Sequence, residues 1–201
     1  MQKKSNNQIR IIAGDWRGRK INFEDAEGLR PTGDRVRETL FNWLAPYIDS
    51  AHCLDLFTGS GALGIEALSR GALSVTFVDI NDKTIQQIGK ELEKLSAENF
   101  HLYKMSAVNF IHSQKFPETG FNIIFLDPPY SLDIFQQCID SLEQAFQNST
   151  QTPDQVLIYY EHNHALDEAL LPENWLITKQ KKAGQVYFYL LFRKPKINLA
   201  N

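Results

Sequence analysis

The stretch LDLFTGSGALG at residues 54–64 decides the fold of this 201-residue chain. Gly59, Gly61 and Gly64 follow an apolar strand pattern and open a helical one, with the spacing G-x-G-x-x-G. Glycines at this spacing allow a tight turn after a buried strand and let a ligand approach the backbone. Asp79 follows at the end of the next predicted strand, where its carboxylate can accept hydrogen bonds from ribose hydroxyls. The stretch therefore predicts a nucleotide-like ligand at the carboxyl edge of a parallel sheet.

Asp55 lies four residues before Gly59 and bears on which ligand the loop holds. In a crevice at the strand ends its charge would repel a pyrophosphate and attract an amino group or a sulfonium. The pattern D-x-x-x-G-x-G therefore favours S-adenosylmethionine over a dinucleotide, and Asp79 keeps its ribose role with either ligand. The alternative, that Asp55 only caps the loop, stays open at this point.

Short apolar strands alternate with helical segments from residue 52 onward. The predicted strands cover 52–57, 74–80, 100–105, 121–127, 155–161, 174–181 and 185–193, and the predicted helices cover 62–70, 82–97, 107–114, 132–147 and 165–171. Alternating βα units predict a doubly wound α/β fold, a mostly parallel seven-stranded sheet with helices on both faces. Because Ala183-Gly184 is a turn signal, the last two strands are predicted to form an antiparallel hairpin.

The N-terminal residues precede this alternation and follow a different pattern. Residues 10–12 and 20–23 predict two short strands joined by glycine-containing turns. A helix that ends before Pro46 is predicted from four apolar residues that share one helical face: Val36, Leu40, Trp43 and Leu44. We therefore expect residues 1–45 to form a basic N-terminal extension packed on the core, and residues 46–201 to form the main domain.

The net charge of −3 conceals basic ends on an acidic body. Residues 1–37 carry a charge of +4 and residues 179–196 carry +6, whereas residues 38–178 carry −13. Local patches rather than net charge attract polyanions, so this distribution favours contact between nucleic acid and the two ends. The alternative is an ordinary solvated surface.

Composition excludes several classes of protein. With 43% hydrophobic and 22% charged residues the chain is neither disordered nor fibrous. Its longest apolar run, residues 186–192, is too short to span a bilayer, and no apolar signal-peptide region follows the N-terminus, so we expect a cytoplasmic protein with no membrane partner. Cys53 and Cys138 lie in apolar surroundings, which predicts neither a disulfide framework nor a metal site.

The predicted strand 121–127 runs directly into the turn Asp127-Pro128-Pro129-Tyr130, the candidate catalytic residues. Two prolines remove two backbone donors and leave carbonyl oxygens and the Asp127 carboxylate as acceptors. Such acceptors suit an exocyclic amine, whose two N–H bonds Asp127 and the Pro128 carbonyl can hold, while Tyr130 stacks on the base. An ordinary turn is the alternative, but both this turn and the glycine loop are predicted to border the same crevice.

Four long segments in order resemble the RsmD family. They are residues 10–20 (RIIAGDWRGRK), 30–44 (RPTGDRVRETLFNWL), 54–72 (LDLFTGSGALGIEALSRGA) and the DPPY turn. Members of that family are bacterial S-adenosylmethionine-dependent enzymes that methylate N2 of one guanine, conventionally guanine 966, of 16S ribosomal RNA. The resemblance runs from about residue 9 to residue 194. It implies a Rossmann-like class I methyltransferase fold, S-adenosylmethionine as cofactor, and 16S ribosomal RNA within the 30S subunit as partner.

The resemblance also assigns cofactor-binding residues: Asp55, Thr58, Gly59, Ser60, Gly61, Asp79, Ile80, Ser106 and Ala107. It implies that Asp55 and residues 58–61 hold the methionine part, that Asp79 binds the ribose, and that Ile80 packs on the adenine. Ser106 stands where many relatives have Asp or Asn for the adenine edge, so it can make only part of that contact. Thr58 stands where alanine is more usual, a change that the backbone turn should tolerate.

The basic residues expected to meet RNA come from both ends of the chain: Arg17, Arg19, Arg30, Arg35, Arg37, Lys181 and Lys182. The arginines of RPTGDRVRE are expected at the crevice or its rim, where one could pair with the cofactor carboxylate and others hold phosphates. Their alternative role is that of exposed helix charges.

Three other functions compete with this interpretation. An NAD-binding oxidoreductase is disfavoured by Asp55. A DNA or other RNA amino-methyltransferase acting on adenine N6 or cytosine N4 shares the DPPY turn, but DNA enzymes usually carry a large target-recognition region that this chain lacks. A non-catalytic RNA-binding module would need only the basic ends, so Asp127 and both prolines argue against it.

Overall fold

The computed structural model describes residues 7–23 and 32–195, so Arg30 lies outside the described residues. The described strands are β1 (Asn7–Arg10), β2 (Lys20–Phe23), β3 (His52–Asp55), β4 (Ser74–Asp79), β5 (Phe100–Lys104), β6 (Ile123–Leu126), β7 (Val156–His162), β8 (Trp175–Ala183) and β9 (Val186–Arg193). The α-helices are α1 (Asp34–Leu44), α2 (Ala62–Ser69), α3 (Asp82–Lys94), α4 (Ala107–Ile111) and α5 (Phe135–Asn148). No described helix is long and apolar enough to cross a bilayer.

Seven strands form one sheet in the order β5-β4-β3-β6-β7-β9-β8. Strands β3 to β7 pair in parallel, and β9 inserts antiparallel between β7 and β8. The strand order reverses direction beside β3, so β3 and β6 leave a crevice at their carboxyl ends. The predicted doubly wound α/β sheet with a C-terminal antiparallel hairpin is confirmed.

Helices cover both faces of the sheet, as parallel strands require. One face packs against α1, α2, α3 and the small β1-β2 sheet, and the other packs against α4 and α5. Successive residues of one strand supply the two cores, so Cys53 faces the first and Leu54 the second. Both layers are needed because a strand apolar on both sides must be covered on both sides.

Glu66 on α2 fastens the N-terminal strands to the sheet. Its side chain is 0% exposed, and its two carboxylate oxygens accept the backbone amides of Ile12 at 2.8 Å and Ala13 at 3.0 Å. Arg70, one helical turn further along α2, donates to the same carboxylate at 2.7 Å. The buried charge is therefore paired and hydrogen-bonded, as an interior carboxylate must be.

The predicted elements agree with the structure apart from short differences at their ends, the first strand and one helix. The strand predicted at residues 10–12 is misplaced, because β1 covers Asn7–Arg10 and only Arg10 lies in both ranges. The helix predicted over residues 165–171 is wrong, because only a single 3-10 turn forms there, at Glu168–Leu170. None of its three residues is buried, so no apolar face is available to hold a longer helix against the core.

Glu143 joins α5 to the C-terminal hairpin. Arg193 of β9, 2% exposed, donates to it through Nε at 2.7 Å and through a second nitrogen at 3.1 Å, and Trp175 of β8 donates at 2.9 Å. Partial burial raises the pKa of the Glu143 carboxyl, but these hydrogen bonds outweigh that effect and hold its pKa at about 2. The ionised form is thus the one that the fold stabilises.

We predict that Glu143→Gln lowers the free energy of unfolding at pH 7 by about 3 kcal/mol, because it leaves the Arg193 guanidinium buried without its anion. The folded pKa is depressed, so this stabilisation is present above pH 4.5 and is lost as the pH falls toward 2. Urea denaturation between pH 7 and pH 2 measures it, with exposed Glu173→Gln as the control. A difference between variant and wild type that is the same at all pH values would contradict the prediction.

Candidate active site

A cavity of about 640 Å³ opens at the carboxyl ends of β3, β4 and β6. The loops that follow these strands line it, and they bring together three carboxylates, Asp55, Asp79 and Asp127. Thr32, just before α1, and Ser106, just before α4, complete its wall. Thr32 and Asp127, 95 positions apart in the chain, therefore share one site.

Asp55 ends β3 and is 2% exposed. Its Oδ2 accepts the backbone amide of Gly64 at 3.1 Å, across the turn into α2. Burial raises the pKa of this carboxyl to about 7, with a further contribution from the Asp79 charge, while the Gly64 and Phe57 amides act in the opposite direction. Asp55 thus does cap the loop, as the structural alternative held, and it also lines the cavity with a carboxyl that a cation would hold in its charged form.

The glycine loop is fastened to the end of β4. Thr58 donates its hydroxyl to the backbone oxygens of Asp55 and Val78, both at 3.1 Å. The Gly59 amide donates to Asp79 Oδ2 at 2.9 Å, and the Asn81 amide donates to Oδ1 at 2.8 Å. Each Asp79 oxygen keeps further acceptor capacity toward the cavity. The threonine at position 58 is accommodated because its hydroxyl bonds to backbone oxygens while its own amide still donates to Val78.

Position 61 favours glycine for two reasons, its backbone conformation and the lack of room for a Cβ atom. Its φ is +76°, in the left-handed region, and a Cβ built on it would lie 2.4 Å from the Ile88 side chain. Gly61 therefore shapes the loop from its core side. The neighbouring residues Thr58, Gly59 and Ser60 line the cavity itself.

Three residues were predicted at the adenine side of the site: Ile80, Ser106 and Ala107. Ile80 is 72% exposed at the cavity wall, an apolar side chain open to a flat ligand. Ser106 also lines the cavity, but its hydroxyl oxygen caps α4 by accepting the Asn109 amide at 3.3 Å. Its hydroxyl proton remains for a ligand acceptor. Ala107, predicted beside Ser106, is 3% exposed and packs in the core, and it is not among the described residues that line the cavity.

The DPPY turn forms the opposite wall. Pro129 accepts the Leu132 amide at 2.8 Å, which closes the turn and leaves the Pro128 carbonyl as the remaining acceptor beside Asp127. Tyr130 is half-buried, and its ring packs against His162 with centroids 5.3 Å apart. The turn thus presents a carboxylate, a carbonyl and an aromatic ring to one cavity.

Two partners of this turn were not anticipated from the sequence. Thr32, 7% exposed, donates to Asp127 Oδ2 at 2.7 Å. Glu161, near the end of β7, accepts the Tyr130 hydroxyl at 2.7 Å. No sequence pattern marks Thr32 as a site residue. Glu161, by contrast, opens the polar run 161–164 directly after an apolar parallel strand, a pattern that could have indicated it.

The charge of the cavity selects what it can bind. Its three lining carboxylates are accompanied by no lysine or arginine among the described residues that line it. Such a site repels phosphates and attracts a ligand that carries positive charge. S-adenosylmethionine fits this donor set: a sulfonium and an ammonium near Asp55, ribose hydroxyls at Asp79, and an adenine on Ile80.

The structure corrects the role expected of Arg37. This side chain is 1% exposed, and it donates to Asp34 at 2.6 Å and to the Arg10 backbone oxygen at 3.0 Å, with Glu66 3.6 Å away. The expectation that Arg37 contacts RNA is wrong, because a fully buried guanidinium cannot reach a polyanion. Arg37 instead ties α1 to β1 and α2.

The other described residues that were expected to contact RNA are exposed, but they lie in different places. Arg35 lies in the first turn of α1, three residues after Thr32, which lines the cavity. Arg17 and Arg19 lie at the other end of α2, where the Asp15 amide binds the Ser69 carbonyl and Arg19 binds the Lys94 carbonyl at 2.6 Å. The length of α2, about 12 Å, therefore separates them from the glycine loop.

Lys181 and Lys182 lie on β8, at the edge of the seven-stranded sheet. Both are exposed, and Lys182 donates to the Tyr187 hydroxyl at 2.6 Å. RNA contact by these lysines and by Arg17, Arg19 and Arg35 stays a prediction.

Comparison with known proteins gives consistent matches along the chain. The model of the family "Conserved hypothetical protein 95" matches residues 9–192. The chain is 44% identical to ribosomal RNA small subunit methyltransferase D of Escherichia coli K12 over 189 residues, which is 94% of this chain and 92% of that protein. It is 45% identical to the protein of the same name from Haemophilus influenzae over 186 residues, 91% and 93% of the two chains.

Solved structures agree with these matches. The putative methyltransferase yhhF of Escherichia coli superposes with a TM-score of 0.81 at 44% identity, covering 94% of this chain and all of that one. The Thermus thermophilus 16S rRNA N2 G1207 methyltransferase superposes with a TM-score of 0.68 at 19% identity, covering 98% of this chain and 52% of that one. The second likeness shows a shared fold.

We predict that ionised Asp55 destabilises the ligand-free protein. Its folded pKa of about 7 exceeds the ordinary value of 3.8, so its contribution to stability is present below pH 3.8 and is lost as the pH rises through 7. Asp55→Asn should therefore gain thermal stability relative to wild type as the pH rises from 4 to 8. Calorimetric scans across this range measure the trend, with exposed Asp82→Asn as the control, and a constant difference would refute it.

Proposed function

Because the chain belongs to the family described as Conserved hypothetical protein 95, the RsmD family of S-adenosylmethionine-dependent ribosomal RNA methyltransferases, we propose that it methylates the N2 amine of one guanine in 16S ribosomal RNA. By family resemblance this guanine is the one conventionally numbered 966. The observation that carries the proposal is that Asp127 and Pro128, acceptors for an amine, share one cavity with Asp55 and Asp79.

Each part of the cofactor has a matching group in the cavity. Asp79 accepts the ribose hydroxyls while the Gly59 and Asn81 amides hold its carboxylate in place. Ile80 covers one face of the adenine, and Asp55 stabilises the positively charged methionine part. When bound, S-adenosylmethionine supplies an electrophilic methyl group on a sulfonium sulfur.

The DPPY turn would hold the target amine in the same cavity. Asp127 and the Pro128 carbonyl would accept the two N–H bonds, which weakens conjugation of the nitrogen lone pair with the base. The bound cofactor would supply the methyl group and keep the electrons of the broken C–S bond, while N2 forms the new N–C bond and Asp127 accepts the proton that N2 releases. Tyr130 stacks on the base and keeps the amine in the plane of these acceptors.

The cavity admits a base only after it has left its helix. In a base pair guanine N2 donates a hydrogen bond, so the target must be unpaired or flipped out to reach Asp127. The described chain carries no large insertion that could read sequence, which makes the shape of the RNA the main source of selectivity. Ribosomal proteins would hold the target loop in one shape, so the assembled 30S subunit is the preferred substrate.

The direct test compares three substrates under one salt concentration: assembled small subunits, protein-free 16S ribosomal RNA and duplex DNA. We predict methylation of the subunits fastest, no methylation of DNA, and N2-methylguanosine as the product in nucleoside analysis. Asp127→Ala should abolish transfer yet keep cofactor affinity in calorimetry, whereas Asp79→Ala should weaken cofactor affinity at least tenfold because it removes a charged hydrogen-bond acceptor.

Three outcomes would overturn parts of this assignment. Equal rates on subunits and protein-free RNA would refute the preference for the assembled particle, and faster methylation of DNA would refute the RNA substrate. Substantial transfer by folded Asp127→Ala would remove Asp127 from the amine site. Asp82→Ala, a change in an exposed carboxylate three residues from Asp79, is the matched control for cofactor affinity.

Charge reversal separates the two basic regions. We predict that Arg35→Glu, close to the cavity-lining Thr32, weakens RNA binding. It should also reduce the slope of log affinity against log salt concentration by about one, because each phosphate contact releases about one counterion. Arg17→Glu and Arg19→Glu should have the smaller effect, since these residues lie at the far end of α2. Filter binding over a salt series measures both, with exposed Lys115→Glu as the control, and an unchanged slope in Arg35→Glu would contradict the prediction.

A further inference from the structure

Glu161 is a buried carboxylate that the reaction described above does not use. It is 5% exposed, near the carboxyl end of β7. One of its oxygens accepts the Tyr130 hydroxyl at 2.7 Å, and the other accepts the Tyr159 hydroxyl. Two tyrosines thus hold the carboxylate in one orientation.

Glu161 lies beside Asp127 on the neighbouring strand. The parallel pairing of β6 with β7 places Leu126 opposite Tyr160, so the next residues in register are Asp127 and Glu161. In-register residues of parallel strands point to the same face of the sheet. Two carboxyl groups therefore face one another across the strand pair, on the side where Thr32 reaches Asp127.

We propose that Glu161 is a positioning residue for methyl transfer, which holds its negative charge beside Asp127 and thereby makes Asp127 a better acceptor for the proton that the target amine releases. This inference rests on the proposed function, because it concerns the carboxylate that receives the amine. Among the described residues that line the cavity Glu161 is absent, so it acts through Asp127 and Tyr130.

A purely structural role accounts poorly for a charged residue here. Among residues 7–23 and 32–195, no lysine, arginine or histidine forms an ion pair with Glu161. A buried carboxylate without a cation costs more free energy than a neutral amide of the same shape. Glutamine could keep hydrogen bonds to Tyr130 and Tyr159, so packing alone does not require the charge.

The groups around Asp127 determine whether the pKa of its carboxyl rises or falls. Burial raises the pKa of Asp127 well above its usual range, the Glu161 charge raises it further, the Thr32 hydroxyl lowers it, and Asp55 adds a smaller increase. His162 packs against the Tyr130 ring, and burial and the neighbouring His164 lower the pKa of this imidazole. A base with a pKa nearer to neutral accepts a proton more readily in the transition state.

The test uses Glu161→Gln, which removes the charge and keeps the shape. The acid limb of the kcat–pH profile on 16S ribosomal RNA should move to lower pH by about one unit, because Asp127 then loses its proton more easily. The plateau of kcat should fall roughly tenfold, because Asp127 is then the weaker base. Glu91→Gln, a second buried glutamate bonded to Lys94 and Gln87 on α3, is the matched control and should shift neither.

A measurement without substrate separates this inference from the proposed function. In ¹³C NMR of the ligand-free protein, the Asp127 carboxyl should titrate well above the usual aspartate range in wild type and at lower pH in Glu161→Gln. If wild type methylates no RNA, the proposed function fails while this titration still tests the pair. An Asp127 titration in the usual range in wild type, or one that Glu161→Gln leaves unchanged, would overturn the inference.

Discussion

The hydrogen bonds from the Ile12 and Ala13 amides to buried Glu66 are the constraint on which the site depends. They fasten the N-terminal strands to α2, and Arg37 then ties α1 to the same carboxylate. Because α1 begins two residues after Thr32, this attachment places the Thr32 hydroxyl within reach of Asp127. An extension that could have been a separate RNA-binding arm is thereby part of the wall of the active site.

The crowding of carboxyl groups at the carboxyl edge of the sheet is unfavourable for the empty protein and useful for the ligand. Burial and mutual repulsion raise the pKa values of Asp55 and Asp127. Under the proposed function, a cationic cofactor would relieve this repulsion at Asp55, whereas the pair formed by Asp127 and Glu161 would keep it beside the amine. The same physical effect would then serve cofactor binding at one wall of the cavity and proton acceptance at the other.

Exposure to solvent distinguishes the arginines, which the sequence presents as equivalent. Arg35 and Arg37 are two residues apart on α1, yet one is exposed and the other is 1% exposed within an ion-pair cluster. A helix turns by about 100° per residue, so this spacing places the two side chains on opposite faces. Only the position of α1 against α2 decides which of those faces is the interior.

The sequence by itself determined the α/β fold, the glycine loop, Asp55 and Asp79, and the DPPY turn, because each depends on local spacing along a strand, a turn or a helix. Only the tertiary structure decided that Thr32 and Glu161 flank Asp127, that Arg37 is buried, and that Arg17 and Arg19 lie away from the cavity. These relations join residues 31 to 95 positions apart, or depend on which helix face packs inward. Local sequence patterns do not predict such contacts, because the packing of whole helices and strands against one another determines which distant residues meet.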